Sequence, residues 1–125
     1  MKNVQDKRQI QGRIAEQAVA DWLEHNGYEI IERNYRRKTG EVDIISKKGE
    51  CLCFTEVRSR SNGLMGSPAL TVDARKQRQI IRTSMFFLAE IKGTDLTARF
   101  DVAAVIFGPK GPEIEYISSA FEAGI

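Results

Sequence analysis

Two short apolar stretches of the chain each carry an acid. Asp43 lies within Gly40–Ile45, and Glu56 lies within Phe54–Arg58. Acids are costly inside an apolar strand unless a cation or a proton binds them. Mg²⁺ takes oxygen ligands and needs only one or two carboxylates, and it can generate hydroxide and neutralise phosphate charge. The pattern therefore indicates metal-assisted phosphodiester hydrolysis, with Asp43 and Glu56 as ligands and Arg58 stabilising the transition state.

A hairpin is the local structure that would bring these acids together. Lys48–Gly49 is predicted to form a two-residue turn between two apolar runs. Asp43 then faces Phe54. Glu41 faces Glu56, and Asp43 and Glu56 become diagonal neighbours on one face, with Cβ atoms about 7 Å apart.

Strand alternation decides which side chains share this face. Arg58 lies two residues after Glu56, so it joins the two acids. The opposite face is expected to receive Val42, Ile44, Thr55 and Val57. Three further groups are available to complete a metal shell: Glu16, Glu41 and the carbonyl oxygen of Val57.

A helix is predicted over residues 6–26, ended by Asn26–Gly27. Its apolar stripe consists of Ile14, Ala15, Ala18, Val19, Trp22 and Leu23. Glu16 lies at the margin of that stripe, about 20° from Leu23 in projection. Two interpretations stay open: a boundary glutamate whose carboxylate reaches water, or an acid aimed into a site.

A second helix is predicted over residues 71–92. Its buried arc consists of Ile80, Ile81, Ser84, Phe87, Leu88 and Ile91. Gln77 projects into the middle of this arc, and a buried amide needs hydrogen-bond partners. It could bind the backbone, or it could serve a site formed with the hairpin.

Basic residues surround these elements, although the net charge of the chain is only +2. Six of them are candidates to meet nucleic-acid phosphates by charge: Arg36, Arg37, Lys38, Arg60, Lys76 and Arg78. Arg60 lies in residues 59–70, whose glycines and polar residues predict a loop. For Arg78 and the other arginines of the second helix, an ordinary solvated face is the alternative.

The rest of the chain predicts the other half of a sheet. Residues 98–107 are apolar on both faces, as in a central strand, and residues 113–118 predict an edge strand. Arg99 and Asp101 share a face, and we expect them to pair with each other. With a further strand before the hairpin, the element order is α-β-β-β-α-β-β. We predict a single α/β domain with a mixed sheet flanked by helices.

Composition limits the class of protein. Hydrophobic residues make up 42% and charged residues 29%, which suits a globular domain. The one histidine, and two cysteines without a CxxC spacing, argue against a zinc site or a histidine-dependent triad. The apolar runs are too short for a membrane span, and residues 1–6 lack a signal-peptide core. We therefore expect a cytoplasmic protein with no membrane partner.

The fuller pattern of residues resembles a known family. Asp43 followed by Glu56-Val57-Arg58 is similar to the PD-(D/E)xK signature of restriction-endonuclease-like nucleases. The whole set resembles the YraN-like family, which is regarded as related to archaeal Holliday-junction resolvases. The resemblance covers nearly the whole chain and rests on Glu16, Asn34-Tyr35-Arg36, Gly40-Glu41-Val42-Asp43-Ile44-Ile45, Glu56-Val57-Arg58, Arg99-Phe100-Asp101-Val102 and Ala120-Phe121.

This resemblance implies a restriction-endonuclease-like nuclease domain over residues 1–125. It implies metal-binding acids at Glu16, Asp43 and Glu56, which favours the site interpretation of Glu16. Gln77 would match a polar residue on the helix after the core motif.

Three positions depart from the pattern. Val42 stands where the superfamily signature has proline, and Ala15 replaces a glycine often found before the helix glutamate. Arg58 replaces the signature lysine. Because arginine is not deprotonated in proteins, Arg58 cannot be a general base, but it can clamp a phosphate or stabilise the transition state.

We predict a Mg²⁺-dependent endonuclease acting on DNA, including branched DNA, with Mn²⁺ as a substitute ion. Asp43 and Glu56 would hold the metal with help from Glu16, and Gln77 would position phosphate or water. A homodimer is expected, because two symmetric cuts in a junction need two sites. The alternatives are a nucleic-acid-binding protein without catalysis, and a structural protein whose acids are paired with Arg58 and other bases.

Overall fold

The computed structural model describes residues 6–60, without the side chain of Arg60, together with residues 72–91 and 95–124. In these ranges the chain forms two helices and five strands: α1 (Lys7–His25), β1 (Glu29–Arg37), β2 (Gly40–Lys48), β3 (Cys51–Arg60), α2 (Ala74–Glu90), β4 (Thr97–Gly108) and β5 (Gly111–Phe121). The sheet order is β1-β2-β3-β4-β5. Neighbours β3 and β4 are parallel, and the other neighbours are antiparallel. The predicted element order and mixed α/β sheet are confirmed.

Each helix covers one face of the sheet. On one face, α1 packs Ala15, Val19 and Leu23 against Ile44 of β2 and Cys53 of β3. Phe87 and Ile80 of α2 lie on the other face, packed with Tyr35, Val42, Ile45, Phe54 and Phe100. Asp6 caps α1 by accepting the Arg8 N–H at 2.9 Å, and Asp73 caps α2 by accepting the Lys76 N–H at 2.8 Å. Neither described helix is long and apolar enough to cross a membrane.

Ile14 is a wrong prediction for the core, because its side chain is 47% exposed. The line Ala15, Val19 and Leu23 faces the sheet and is buried. Ile14 lies about 100° around the helix from Ala15. That rotation carries it beyond the edge of the sheet surface that α1 covers.

The C-terminal strands follow the sequence pattern. Residues 100–105 of β4 are buried on both faces, and β5 lies at the edge of the sheet. Arg99 donates to Asp101 from Nε and Nη2 at 2.9 Å each, so the predicted pair is confirmed.

Cys51 and Cys53 are free, with their Sγ atoms 4.0 Å apart. The predicted loop over residues 59–70 begins later, since β3 continues through Arg60, and residues 61–70 lie outside the described ranges.

The hairpin register was predicted wrongly. Lys48 pairs with Cys51, so the turn is Gly49–Glu50, one residue later than predicted. Gly49 has a φ of +60°, and a type II′ hairpin places glycine at the first turn position for this reason. Phe54 therefore pairs with Ile45 rather than with Asp43.

Glu41 likewise does not face Glu56. It pairs across the other hairpin with Arg36 of β1, and Arg36 Nε lies 3.1 Å from Glu41 Oε2. The two-residue shift relative to the predicted register places Asp43 directly opposite Glu56 instead of diagonal to it, so the two acids remain neighbours.

Simple alternation also fails between Val42 and Ile44. Val42 packs in the core under α2, whereas Ile44 packs in the core under α1. Their partners in β1 show the same change: Tyr35 packs under α2, and Arg33 reaches Glu16 of α1. Asn34, between those partners, has a φ of +55°. In both strands, therefore, the alternate side chains switch from one face of the sheet to the other at the same point. Asp43 lies at that point.

Candidate active site at the fork of β2 and β3

The pairing of β2 with β3 runs from Lys48 and Cys51 to Ile44 and Thr55. Continuing this register by one residue places Asp43 opposite Glu56. There the backbone ladder is replaced by a side chain, since Asp43 Oδ2 accepts the Val57 N–H at 2.8 Å. The fork between the strands therefore leaves room for a carboxyl group inside the sheet.

The two carboxyl groups at the fork interact directly. A hydrogen bond joins Asp43 to Glu56. Burial, followed by the charge of Glu56, raises the pKa of Asp43 to about 8. Burial also raises the pKa of Glu56, against the opposing charges of Lys76 and Arg58. Without a bound cation, the pair therefore tends to hold a proton at neutral pH.

Two cations flank Glu56 without neutralising Asp43. Arg58 Nε lies 3.5 Å from Glu56 Oε2, and Lys76 Nζ lies 3.9 Å from the same atom. The Arg58 Nε is buried and has no hydrogen-bond partner among the residues that the structure describes. The charge of Glu56 therefore holds Arg58 beside the acids, and the Arg58 Nε–H remains available to donate a hydrogen bond.

Glu16 meets Asp43 across a cavity of about 710 Å³. This cavity, called the α1 cavity below, is lined by Gln9, Gly12, Arg13, Ala15, Glu16, Asn34, Arg36, Asp43, Val57 and Ser59. Glu16 is half-buried, and its Oε2 accepts from Arg33 Nε at 2.8 Å and from Asn34 Nδ2 at 2.9 Å. Its position at the cavity wall agrees with an acid aimed into a site, while its role there stays a prediction.

The sequence patterns gave no site role to Arg33, and they included Asn34 only as part of the family resemblance. Both side chains act on Glu16 from β1. Arg33 also donates from Nη1 to Gln17 at 2.9 Å, which ties β1 to two successive residues of α1. Asparagine tolerates a positive φ better than most residues. That tolerance was the available signal, but it indicates a backbone irregularity without naming the partner.

Gln77 forms a hydrogen bond to the backbone, which was one of the two interpretations of this residue; the other was a role in the site. Its Nε2 donates to the Val72 carbonyl oxygen at 2.9 Å and secures the chain just before α2. The side chain is half-buried. The case for chemistry at the fork therefore rests on Asp43, Glu56 and Arg58.

The predicted phosphate-binding residues are spread over several surfaces. Arg36 lines the α1 cavity, and Lys76 lies beside Glu56. Arg37 donates to Glu90 at 2.6 Å and lies 4.1 Å from the Tyr35 ring centre, which directs it towards the end of α2. Lys38 and Arg78 are exposed, and the side chain of Arg60 lies outside the described residues.

The donor set suits a hard cation. Asp43 and Glu56 are adjacent carboxyl groups, and Asp43 and Val57 both line the α1 cavity. Mg²⁺ requires one or two carboxylates and keeps water as its remaining ligands. In the described residues, no three acid, histidine or cysteine side chains form a ready metal cluster. The described residues therefore fit an ion that is held by the two carboxylates of Asp43 and Glu56. Glu16, oriented by β1, lies farther away across the cavity.

Comparison with known proteins gives a consistent family match. The model of the uncharacterised protein family UPF0102 matches residues 15–105. A UPF0102 protein of Syntrophus aciditrophicus is 44% identical over 111 residues, covering 89% of this chain and 87% of that protein. One from Geobacter metallireducens is 40% identical over 111 residues, covering 89% and 91%. One from Anaeromyxobacter dehalogenans is 40% identical over 117 residues, covering 94% and 87%.

Proposed function

This chain belongs to the uncharacterised protein family UPF0102, and from its own residues we propose that it is a Mg²⁺-dependent endonuclease that hydrolyses DNA phosphodiester bonds. The observation that carries the proposal is the buried pair of Asp43 and Glu56 at a fork in the sheet, beside Arg58. The element order and this pair support a place among restriction-endonuclease-like nucleases of the PD-(D/E)xK type. Mn²⁺ is expected to replace Mg²⁺.

The residues would divide the work as follows. Asp43 and Glu56 would hold the ion, with the Val57 carbonyl oxygen and Glu16 completing its surroundings. When bound, Mg²⁺ supplies a hydroxide nucleophile and neutralises charge on the phosphate. Arg58 would stabilise the charge that develops on the phosphoryl oxygens, using the Nε that no described residue engages in a hydrogen bond. Since Arg58 stays protonated, it would not remove the proton from water.

Branched DNA is the proposed preferred form of the substrate. This proposal rests on the resemblance to archaeal Holliday-junction resolvases and not on a contact in the structure. Two symmetric cuts in a junction need two sites, so a homodimer is the corresponding assembly.

Asn34→Gly should weaken Mn²⁺ binding about 10-fold, as loss of an outer contact to a metal ligand typically does. Glycine keeps the positive φ of this position and removes only the amide that donates to Glu16. Isothermal titration with Mn²⁺ measures the change. Gln17→Ala is the matched control, because it removes a contact of Arg33 and leaves both hydrogen bonds to Glu16 in place. If wild type, Asn34→Gly and Gln17→Ala bind Mn²⁺ with equal affinity, the prediction is wrong, and Asn34 serves only to adopt the positive φ of its position.

The direct test of the proposed function is a cleavage assay. Purified wild type and Asp43→Asn are incubated with single-stranded, duplex and four-way DNA in Mg²⁺, in Mn²⁺ or in EDTA. Wild type should cut in either ion and not in EDTA, and Asp43→Asn should not cut. Asp21→Asn is the control, since Asp21 is an exposed acid of α1 outside the cavity lining.

Each other outcome has a definite meaning. If wild type and Asp43→Asn both fail to cut, or cut equally, the catalytic proposal is wrong. Binding of DNA without cutting, weakened by salt and retained by Asp43→Asn, would favour a nucleic-acid-binding protein on a nuclease scaffold. The replacement of the signature lysine by Arg58 is the observation that favours this second function.

A further inference from the structure

One position in the α1 wall of the α1 cavity, Gly12, carries no side chain. Gly12 lies inside α1, although glycine is among the poorest helix-forming residues. Its φ is not positive, so the backbone does not require glycine there. A Cβ built at Gly12 would meet no atom of the described residues within 4 Å, apart from the backbone of α1 itself, so packing in the described part of the chain does not require glycine either. The described fold therefore gives no reason for the missing side chain.

The surroundings of Gly12 indicate what the space is for. Glu16 follows Gly12 by one helical turn, so both lie on the same side of α1, and Asp43 lines the same cavity. An open path thus leads from the first turns of the helix to Asp43 at the fork. Glycine allows a ligand to approach a backbone closely.

The cavity walls suit a polar ligand, and their two arginines can bind an anionic one. Most lining side chains beside Gly12 are polar, and two of them, Arg13 and Arg36, are cationic. Arg36 is paired with Glu41, but its side chain is 73% exposed and can turn towards a phosphate. Of the two acids that line the cavity, Glu16 is paired with Arg33, and Asp43 lies at the fork. An extended chain of phosphates, neutralised by a cation near the acids, matches this distribution of charge.

We propose that a DNA strand crosses the α1 wall of this cavity, with its phosphodiester backbone against Gly12, on its way to Asp43. The proposal rests on the proposed function and adds the path of the substrate. It places the strand on the α1 side of the sheet, between Arg13 and Arg36. Arg37 and Arg78, which lie elsewhere on the surface, are outside this path.

Gly12→Ala and Gly12→Leu test the path. Binding of a fluorescently labelled DNA strand is measured by anisotropy in Ca²⁺, a hard cation with the same preference for oxygen ligands. Gly12→Ala should raise the melting temperature, because alanine favours the helix, while weakening DNA binding several-fold. Gly12→Leu should weaken binding at least 10-fold. Ile14→Trp is the control, since it adds bulk to an exposed part of α1 outside the cavity lining without changing charge.

The outcomes separate the path from the function. Stabilised Gly12 variants that bind DNA as tightly as wild type would overturn the path and leave the proposed function intact. If Ile14→Trp weakens binding as much as Gly12→Leu, the effect is general to α1 and the path is also wrong. A wild-type protein that binds no DNA with or without a divalent ion would overturn the proposed function and the path together.

Discussion

Replacing Asp43 with asparagine should raise the melting temperature of the metal-free protein at pH 8 on the order of 5 °C, taking about 4 °C per kcal/mol for a domain of this size. Asparagine has nearly the shape of aspartate. Its amide oxygen can accept the Val57 N–H, and its amide nitrogen can donate to Glu56. The substitution therefore removes a buried charge and keeps both contacts.

The pKa of Asp43 explains why the substitution should stabilise the protein at pH 8 rather than destabilise it. The pKa of Asp43 is about 8 in the folded protein and 3.8 in the reference state. Between these values the folded state holds a proton that the unfolded state has lost, so stability falls as pH rises. The loss is on the order of a few kcal/mol. Wild type in EDTA should therefore melt at progressively lower temperature from pH 5 to pH 8, and Asp43→Asn should show a flatter profile.

Mn²⁺ should make wild type melt at a higher temperature than Asp43→Asn, which is the reverse of their order in EDTA. A metal binds the ionised carboxyl pair and competes with the proton, so wild type should gain melting temperature with Mn²⁺, most strongly at high pH. Asp43→Asn should gain little, and Asp21→Asn should behave as wild type. A variant Asp43→Asn that is several degrees less stable than wild type in EDTA would instead identify Asp43 as the partner of a buried base. The metal-site proposal would then fail.

Asp101→Asn should have the opposite effect and destabilise the protein by about 3–5 kcal/mol, as expected when one member of a buried ion pair is removed. Asp101 is fully buried. Its carboxylate accepts from Arg99, from the Tyr116 hydroxyl and from the Ser119 N–H. Asparagine cannot replace these bonds, because one of its two terminal groups is a donor. Arg99 would then remain beside an uncharged amide.

Urea unfolding at pH 7 measures this loss, and a double-mutant cycle assigns it. Arg99→Gln removes the cation, so the double variant should be more stable than the sum of the two single losses predicts. The Mn²⁺ dependence of the melting temperature should be unchanged in Asp101→Asn. A loss below about 1 kcal/mol, the range of an exposed ion pair, would contradict the buried-pair assignment.

Much of the fold follows from the sequence because it depends on local periodicity. The apolar residues on both faces of β4 predict its buried position, and the alternation and turn residues around β5 predict an edge strand. The pairing of Arg99 with Asp101 follows from their spacing on one strand face. These features need no knowledge of distant contacts.

The register of the hairpin was less accessible, because one turn residue decides it. Two neighbouring dipeptides contain Gly49, and only the backbone conformation shows that glycine takes the first turn position. The phase change at Asn34 and Asp43 is harder still, since two strands must depart from alternation together. Asn34 alone indicates an irregularity in β1, and nothing in β2 indicates the matching change at Asp43.

The candidate site was predictable in part for the same reason. Asp43, Glu56 and Arg58 lie close in sequence, so a hairpin brings them together in either register. The hydrogen bonds of Glu16 with Arg33 and Asn34 depend on how α1 packs against β1, which periodicity does not specify. The basic residues were predicted as one group, but Arg37 is drawn to Glu90 and away from the fork.

The strand order has a consequence for the chain entropy of folding. Strands β1, β2 and β3 are consecutive and antiparallel, joined by short turns, whereas β3 reaches its parallel partner β4 only after the chain has passed through α2. Closing a short loop costs less entropy than closing a long one. Asp43 and Glu56 therefore lie in the part of the sheet whose contacts are most local. The cost of burying these two acids opposes the same hairpin that chain connectivity favours most.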